Sequence, residues 1–142
     1  LWAAKIGWLH SCPKRNRSED TRTRSEQYGD DHPYSTLPPL DSVDYMSSLF
    51  IDCGMASQGG MGLSPITWAE LLAFDQCTGL GLNSWELAQL MSMSRKYCSW
   101  NTKGSQQTDI ADDVPWVDRS LSVSGYLVRQ REEALKEEES QL

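Results

Sequence analysis

Cysteines, histidines and closely spaced carboxylates are the side chains that could hold a metal or carry catalysis, and their arrangement here points to neither. Cys12, Cys53, Cys77 and Cys98 are scattered along the chain with no CxxC pair, whereas zinc sites usually draw ligands from such close pairs. Nothing in the sequence marks an oxidising compartment, and Cys53, Cys77 and Cys98 fall in apolar helical patterns. These residues are expected to be buried, reduced thiols. The two histidines, His10 and His32, lie in the N-terminal region expected to be disordered or weakly ordered, so they are expected to be solvent-exposed and unable to serve as an oriented general base. A nucleophile such as Cys77 would then lack its usual partner. The chain has no GxSxG or HExxH pattern, and the glycine-rich run Gln58-Gly59-Gly60-Met61-Gly62-Leu63-Ser64-Pro65 lacks the GxxxxGK[ST] signature of a phosphate cradle. That run is expected to be a turn or loop. A non-enzymatic protein is the reading, without cofactor, metal or small-molecule substrate.

The elements that would position a binding surface are helical. With 142 residues, the chain suits one modest core with flanking segments. Residues 11–36 contain almost no aliphatic side chains, so residues 1–36 are predicted to be a mostly disordered basic and polar segment. Leu37-Pro38-Pro39-Leu40 is an extended entry, because each residue before a proline is pushed away from helix. A compact helical domain is predicted over 37–100. Its first helix follows Val43, Met46, Leu49, Phe50 and Cys53, with Asp41 or Ser42 as N-cap and an end near Gly54. Thr67-Trp68-Ala69-Glu70 fits a capping box and opens a second helix carrying Leu71, Leu72 and Phe74, with Gly79 just past its end. Asn83 with Glu86 repeats that arrangement before Leu87, Leu90, Met91, Ser94, Tyr97 and Cys98, a helix predicted to end near Ser99.

Residues 101–117 read as a linker and 118–142 as an acidic C-terminal helix, to which Leu121, Tyr126, Leu127 and Val128 contribute apolar positions. The fold class expected is all-α, a small bundle of about three to four helices with a disordered N-terminal segment and that acidic terminal helix. The opening LWAAKIGWLH is too short and too interrupted by Lys5 and Gly7 for a secretory signal, and no apolar run is long enough for a transmembrane helix, so a soluble cytoplasmic chain is expected.

Net charge is −7, and the acidic excess lies in the body of the chain, which disfavours nucleic acid and favours basic partners. A helix-turn-helix regulator is the alternative that 67–99 invites. Its second helix, however, opens on Ser84, Trp85, Glu86 and Leu87, and its basic pair Arg95-Lys96 comes late, so DNA binding is disfavoured. Among the six tryptophans, Trp68 and Trp85 stand at helix starts and are expected to pack in the core or a hinge. Met46 and Met91 are expected to fill core. Trp2, Trp8, Met61, Trp100 and Trp116 are the candidate partner-binding residues, since aromatic and methionine side chains anchor interfaces.

The block 37–100 resembles small proteins encoded among the tail genes of long-tailed bacteriophages and prophages, often described as tail assembly chaperones. The likeness rests on an ordered set of features: Leu37-Pro38-Pro39, an aromatic-bearing helix from Tyr45 to Phe50, Gly59-Gly60-Met61-Gly62, Pro65-Ile66-Thr67-Trp68 with Glu70, Thr78-Gly79, and Ser84-Trp85-Glu86 leading to the Met93–Tyr97 ending. The resemblance implies a factor in the host cytoplasm that keeps the tape measure protein soluble and helps tail tube subunits assemble around it. The alternative within the same family setting is a minor structural protein of the virion. Tail chaperones can arise by programmed frameshift, and a chain opening on Leu1 would suit a downstream segment of such a product.

Overall fold

The computed structural model describes residues 1–15, 20–108, 113–118, 120 and 123–141, of which 123–125 and 127–130 in backbone alone. The long helix α5 (Ser84–Gln106) is the spine. Its buried side is the stripe Leu90, Met91, Ser94, Tyr97, Cys98 and Gly104, a spacing of three and four that gathers one helix face. The reciprocal capping box that opens it is present: Asn83 Oδ1 accepts from the Glu86 amide at 2.9 Å and Glu86 Oε1 accepts from the Asn83 amide at 3.2 Å. The predicted end near Ser99 is corrected, because the helix continues through what was expected to be linker. The extra turns have something to pack on: Asn101 Nδ2 donates to the Gly7 carbonyl at 3.2 Å.

That partner is the main departure from expectation. Residues 1–15 and 20–36 are built into the fold, where a mostly disordered segment was expected over 1–36. Helix α1 (Trp2–Leu9) buries seven of its eight residues, with α5 against one side. Gly7 meets the Tyr97 carbonyl of α5, and Gly104 of α5 meets Ser11 and Trp8, so the two helices approach through a glycine on each. Helix α2 (Arg24–Tyr28) opens on another capping box, Thr23 with Glu26. It lays Tyr28 over Trp8, with ring centroids 6.0 Å apart. Polar composition misled here because the segment packs through aromatic rings and cations. Arg17 and Glu19, counted in the basic segment, lie outside the described residues, as does Leu121 of the C-terminal helix.

From Asp41 to Val43 the chain makes a 3-10 turn, and α3 (Tyr45–Asp52) follows. The predicted N-cap at Asp41 or Ser42 is corrected to Asp44, whose Oδ1 accepts from the Tyr45 amide at 3.0 Å. Asp41 takes φ +50, which interrupts a continuous helix at that point. Met46 and Phe50, one turn apart, are buried. The glycine-rich run forms a hairpin, β1 (Ser57–Gly59) against β2 (Gly62–Ser64), with Gln58 opposite Leu63 and Gly60-Met61 at the turn. Helix α4 (Trp68–Thr78) has its predicted capping box, Thr67 with Glu70, and ends at Gly79 with φ +64, a left-handed conformation that glycine adopts without penalty. Helix α6 (Val123–Ser140) follows, exposed over 131–141.

The all-α expectation of three to four helices is therefore corrected to six helices with a two-stranded antiparallel sheet, a mixed fold among the described residues. Phe50, Leu71 and Leu90 are completely buried in the core with Trp2, Met46, Ile66 and Met91, each large side chain contributing about 1.5–3 kcal/mol of burial. Ser94, also fully buried, accepts from the Ile66 amide at 2.8 Å and ties the entry to α4 onto the spine. All four cysteines are free thiols, but the burial expectation holds for Cys98 alone: Cys12 and Cys53 are half-buried and Cys77 is exposed. No described helix is long and apolar enough to cross a membrane.

Candidate partner-binding groove

Along α5, Trp85, Gln89, Met93 and Lys96 follow one another at intervals of three to four residues and line one side of a cavity of about 300 Å³. Eleven residues of helix rise about 16 Å, so the cavity runs for roughly three helical turns. Leu40, Val43 and Met46 line it from the 3-10 turn and α3, and Leu1 to Ala3 line it from α1. Met46 and Trp2 are core residues whose edges reach the groove, whereas Trp85 is 49% exposed and Val43 37%.

The α1 wall is held by two buried cations. Arg24 is fully buried, lies 4.7 Å over the Trp8 ring, and donates through Nη2 to the Gly104 carbonyl at 2.9 Å and the Thr108 carbonyl at 3.2 Å. Its Nε donates to Ser11 Oγ at 3.3 Å. These carbonyls belong to the last turn of α5 and the residues after it, where amide partners run out and a cation is favoured. Lys5, also fully buried, donates from Nζ to the Trp116 carbonyl at 2.8 Å and sits 5.0 Å from the Trp8 ring. Among the described residues neither cation has a carboxylate partner.

Burial pushes the Lys5 ammonium down to about 8, because desolvation penalises the charged form. Below pH 8 both folded and unfolded chains are protonated, and the penalty is complete. Between about 8 and the ordinary 10.5 the unfolded chain keeps a proton that the folded chain has lost, so stability rises with pH. Lys5→Met removes this titration while keeping the volume. The stability of wild type relative to Lys5→Met is expected to be lowest below pH 8 and to climb toward pH 10.5, as read by urea unfolding of both proteins across that range. A parallel pair of curves would show that the buried amine does not titrate in this window.

The histidines are more constrained than expected. His10 is exposed, yet its Nδ1 lies 2.8 Å from Tyr97 Oη. His32 is half-buried, accepts from the Tyr34 amide, and stacks on Tyr28 at 4.5 Å with Tyr126 at 4.9 Å. Desolvation holds both imidazoles below their usual value, and the Lys5 charge adds to this at His32.

Of the predicted partner-binding residues, Trp2 and Trp8 are buried, Trp2 with an edge on the groove. Trp8 donates from Nε1 to Gln107 Oε1 at 3.1 Å. Trp100 and Trp116 are half-buried, Trp100 beneath the Lys103 ammonium at 4.4 Å. Met61 stands fully exposed at the hairpin turn. The expectation for Trp68 and Trp85 is reversed, since both are about half exposed. Trp68 and Leu72, with Ala69 and Ala73, occupy the side of α4 away from buried Leu71, so that outer side carries apolar residues in solvent.

One further signal was legible and went unused. Residues 37–94 contain Asp41, Asp44, Asp52, Glu70, Asp75 and Glu86 but no lysine or arginine. The groove's 3-10 turn, α3 and the start of α5 all fall inside this span.

No protein-family model, curated protein or solved structure matches this chain.

Proposed function

We propose that this chain is a non-enzymatic protein-binding factor that covers an apolar helical segment of another protein, and that it acts in tail assembly of a bacteriophage or prophage. The observation that carries the binding reading is the exposure of Trp68 and Leu72 on α4, Leu80 in the loop after it and Trp85 at the start of α5. Large apolar side chains concentrated at a surface mark interaction sites, and tryptophan is the residue most enriched among binding hot spots. The motif order over 37–100 supplies the biological setting. A tape measure protein, whose long helices need apolar stripes covered before assembly, is the partner that this setting names, with the tail tube subunit second.

Co-expression of this chain with the neighbouring tape measure and tail tube proteins tests the reading. Soluble tape measure protein retained on the tagged chain, and lost on Trp85→Ala, is the expected result. Expression of all three proteins without any recovered complex would overturn the tail-assembly assignment.

A further inference from the structure

We infer that the groove beside α5 receives an amphipathic helix of the partner whose apolar stripe is flanked by lysine or arginine at the Trp85 end. This deepens the protein-binding reading and rests on it. Three observations define the occupant. The groove is about three helical turns long and is lined along α5 at helical intervals by Trp85, Gln89 and Met93. An occupant helix with apolar residues at i, i+4 and i+7 would match that repeat, with tryptophan and methionine giving a surface able to adapt to it.

The second observation is charge. Glu86 follows Trp85 at one end of the α5 side, and Asp41 and Asp44 flank the lining residue Val43 on the wall formed by the 3-10 turn, with no basic residue anywhere in 37–94. At the far end stands Lys96. A helix bringing cations to the first end and a neutral or acidic residue to Lys96 meets complementary charge at both, which fixes its direction in the groove and speeds encounter. Third, the chain's own exposed helical segment does not fit. Residues 131–140 of α6 carry Glu132, Glu133, Glu137, Glu138 and Glu139 against Arg131 and Lys136, so that segment, from this copy or a second one, would bring a net like charge to Asp41, Asp44 and Glu86. The occupant is therefore a basic helix of a different protein.

The test uses the full chain and three synthetic helical peptides of about 14 residues, a length that covers three to four turns. All share one leucine stripe, and their flanking positions are lysine, glutamine or glutamate. Calorimetric titration is expected to rank them lysine, glutamine, glutamate, with the lysine peptide at least about tenfold tighter than the glutamate one, a difference of about 1.4 kcal/mol. Trp85→Ala is expected to weaken the lysine peptide about tenfold, whereas Leu135→Ala on α6, exposed and outside the groove lining, leaves it unchanged. The triple variant Asp41→Asn, Asp44→Asn, Glu86→Gln should remove most of the lysine preference and its salt dependence. Asparagine and glutamine remain competent at the capping positions they replace, and circular dichroism checks that all variants stay folded.

Equal affinity for all three peptides would overturn the charge assignment while leaving a helix-binding groove in place. Binding unaffected by Trp85→Ala would remove the groove as the site. Failure of every peptide, alongside recovery of a tape measure complex in cells, would overturn this inference and leave the protein-binding reading standing on another surface, of which the outer side of α4 is the next to vary.

Discussion

Gly7→Ala is expected to destabilise the protein by about 3 kcal/mol, the range for forcing extra volume into a packed interior. A Cβ built on Gly7 lies 2.2 Å from the Tyr97 carbonyl oxygen and 2.9 Å from Tyr97 Cα. Those atoms are backbone in the middle of α5, so no side-chain rotation relieves the overlap. Helix α1 would have to move off the spine, giving up contacts of Trp2 and Trp8 and the Asn101 bond to the Gly7 carbonyl. The sign makes this a sharp measurement. In a disordered or merely helical N-terminal segment, alanine would be neutral or would favour helix by about 1 kcal/mol relative to glycine. Gly60→Ala is the matched control, because nothing lies within 4 Å of its Cβ position and its φ is unexceptional; a change within about 0.5 kcal/mol is expected there. Urea unfolding of the three proteins decides the matter. A Gly7→Ala midpoint at or above wild type would mean that α1 does not pack against α5 in solution.

The helices of the middle of the chain were readable because each announced itself twice, by a cap and by a stripe. Thr67 with Glu70 and Asn83 with Glu86 set two starts correctly, Gly79 set one end, and Met46, Leu71, Leu90, Met91 and Cys98 proved buried as the 3.6 period requires. The N-terminal third failed for a physical reason. Burial there is carried by Trp8, Tyr28, His32 and Tyr34 around two cations, and a test that counts aliphatic residues sees only charge and polarity. Yet Thr23 and Glu26 form the same capping box as Thr67 and Glu70, a signal of α2 that the sequence carries. The groove was legible in part. Trp85 was noticed but assigned inward, since nothing local says which side of a helix start is already filled. That depends on α1, which ends more than seventy residues earlier in the sequence.

Arg24→Ala is the second large effect, and it tests how the groove's α1 wall is held. The guanidinium is fully buried between Trp8 and the end of α5, where its bonds to the Gly104 and Thr108 carbonyls replace the amide donors that a terminating helix lacks. Truncation takes the buried donor from the Gly104 carbonyl and opens a cavity beside Trp8. A buried acceptor that loses its donor costs about 1–3 kcal/mol and the cavity adds about 2 kcal/mol or more, so a loss of about 4 kcal/mol is expected in urea unfolding. Arg24→Lys should recover only part of it, because a single ammonium cannot span two carbonyls and stack on an indole as the planar fork does. Arg22→Ala supplies the contrast. Arg22 pairs with Asp20 at 2.9 Å from a largely exposed position, and exposed pairs contribute at most about 1 kcal/mol. The functional consequence follows from geometry. Trp2 and Ala3 line the groove only while α1 stays on the spine, so under mild denaturation the Arg24→Ala protein should lose the lysine-flanked peptide at lower urea than wild type, with no change in the groove residues themselves. Equal urea midpoints for the two proteins, for unfolding and for peptide release alike, would show that the wall stands without the buried guanidinium.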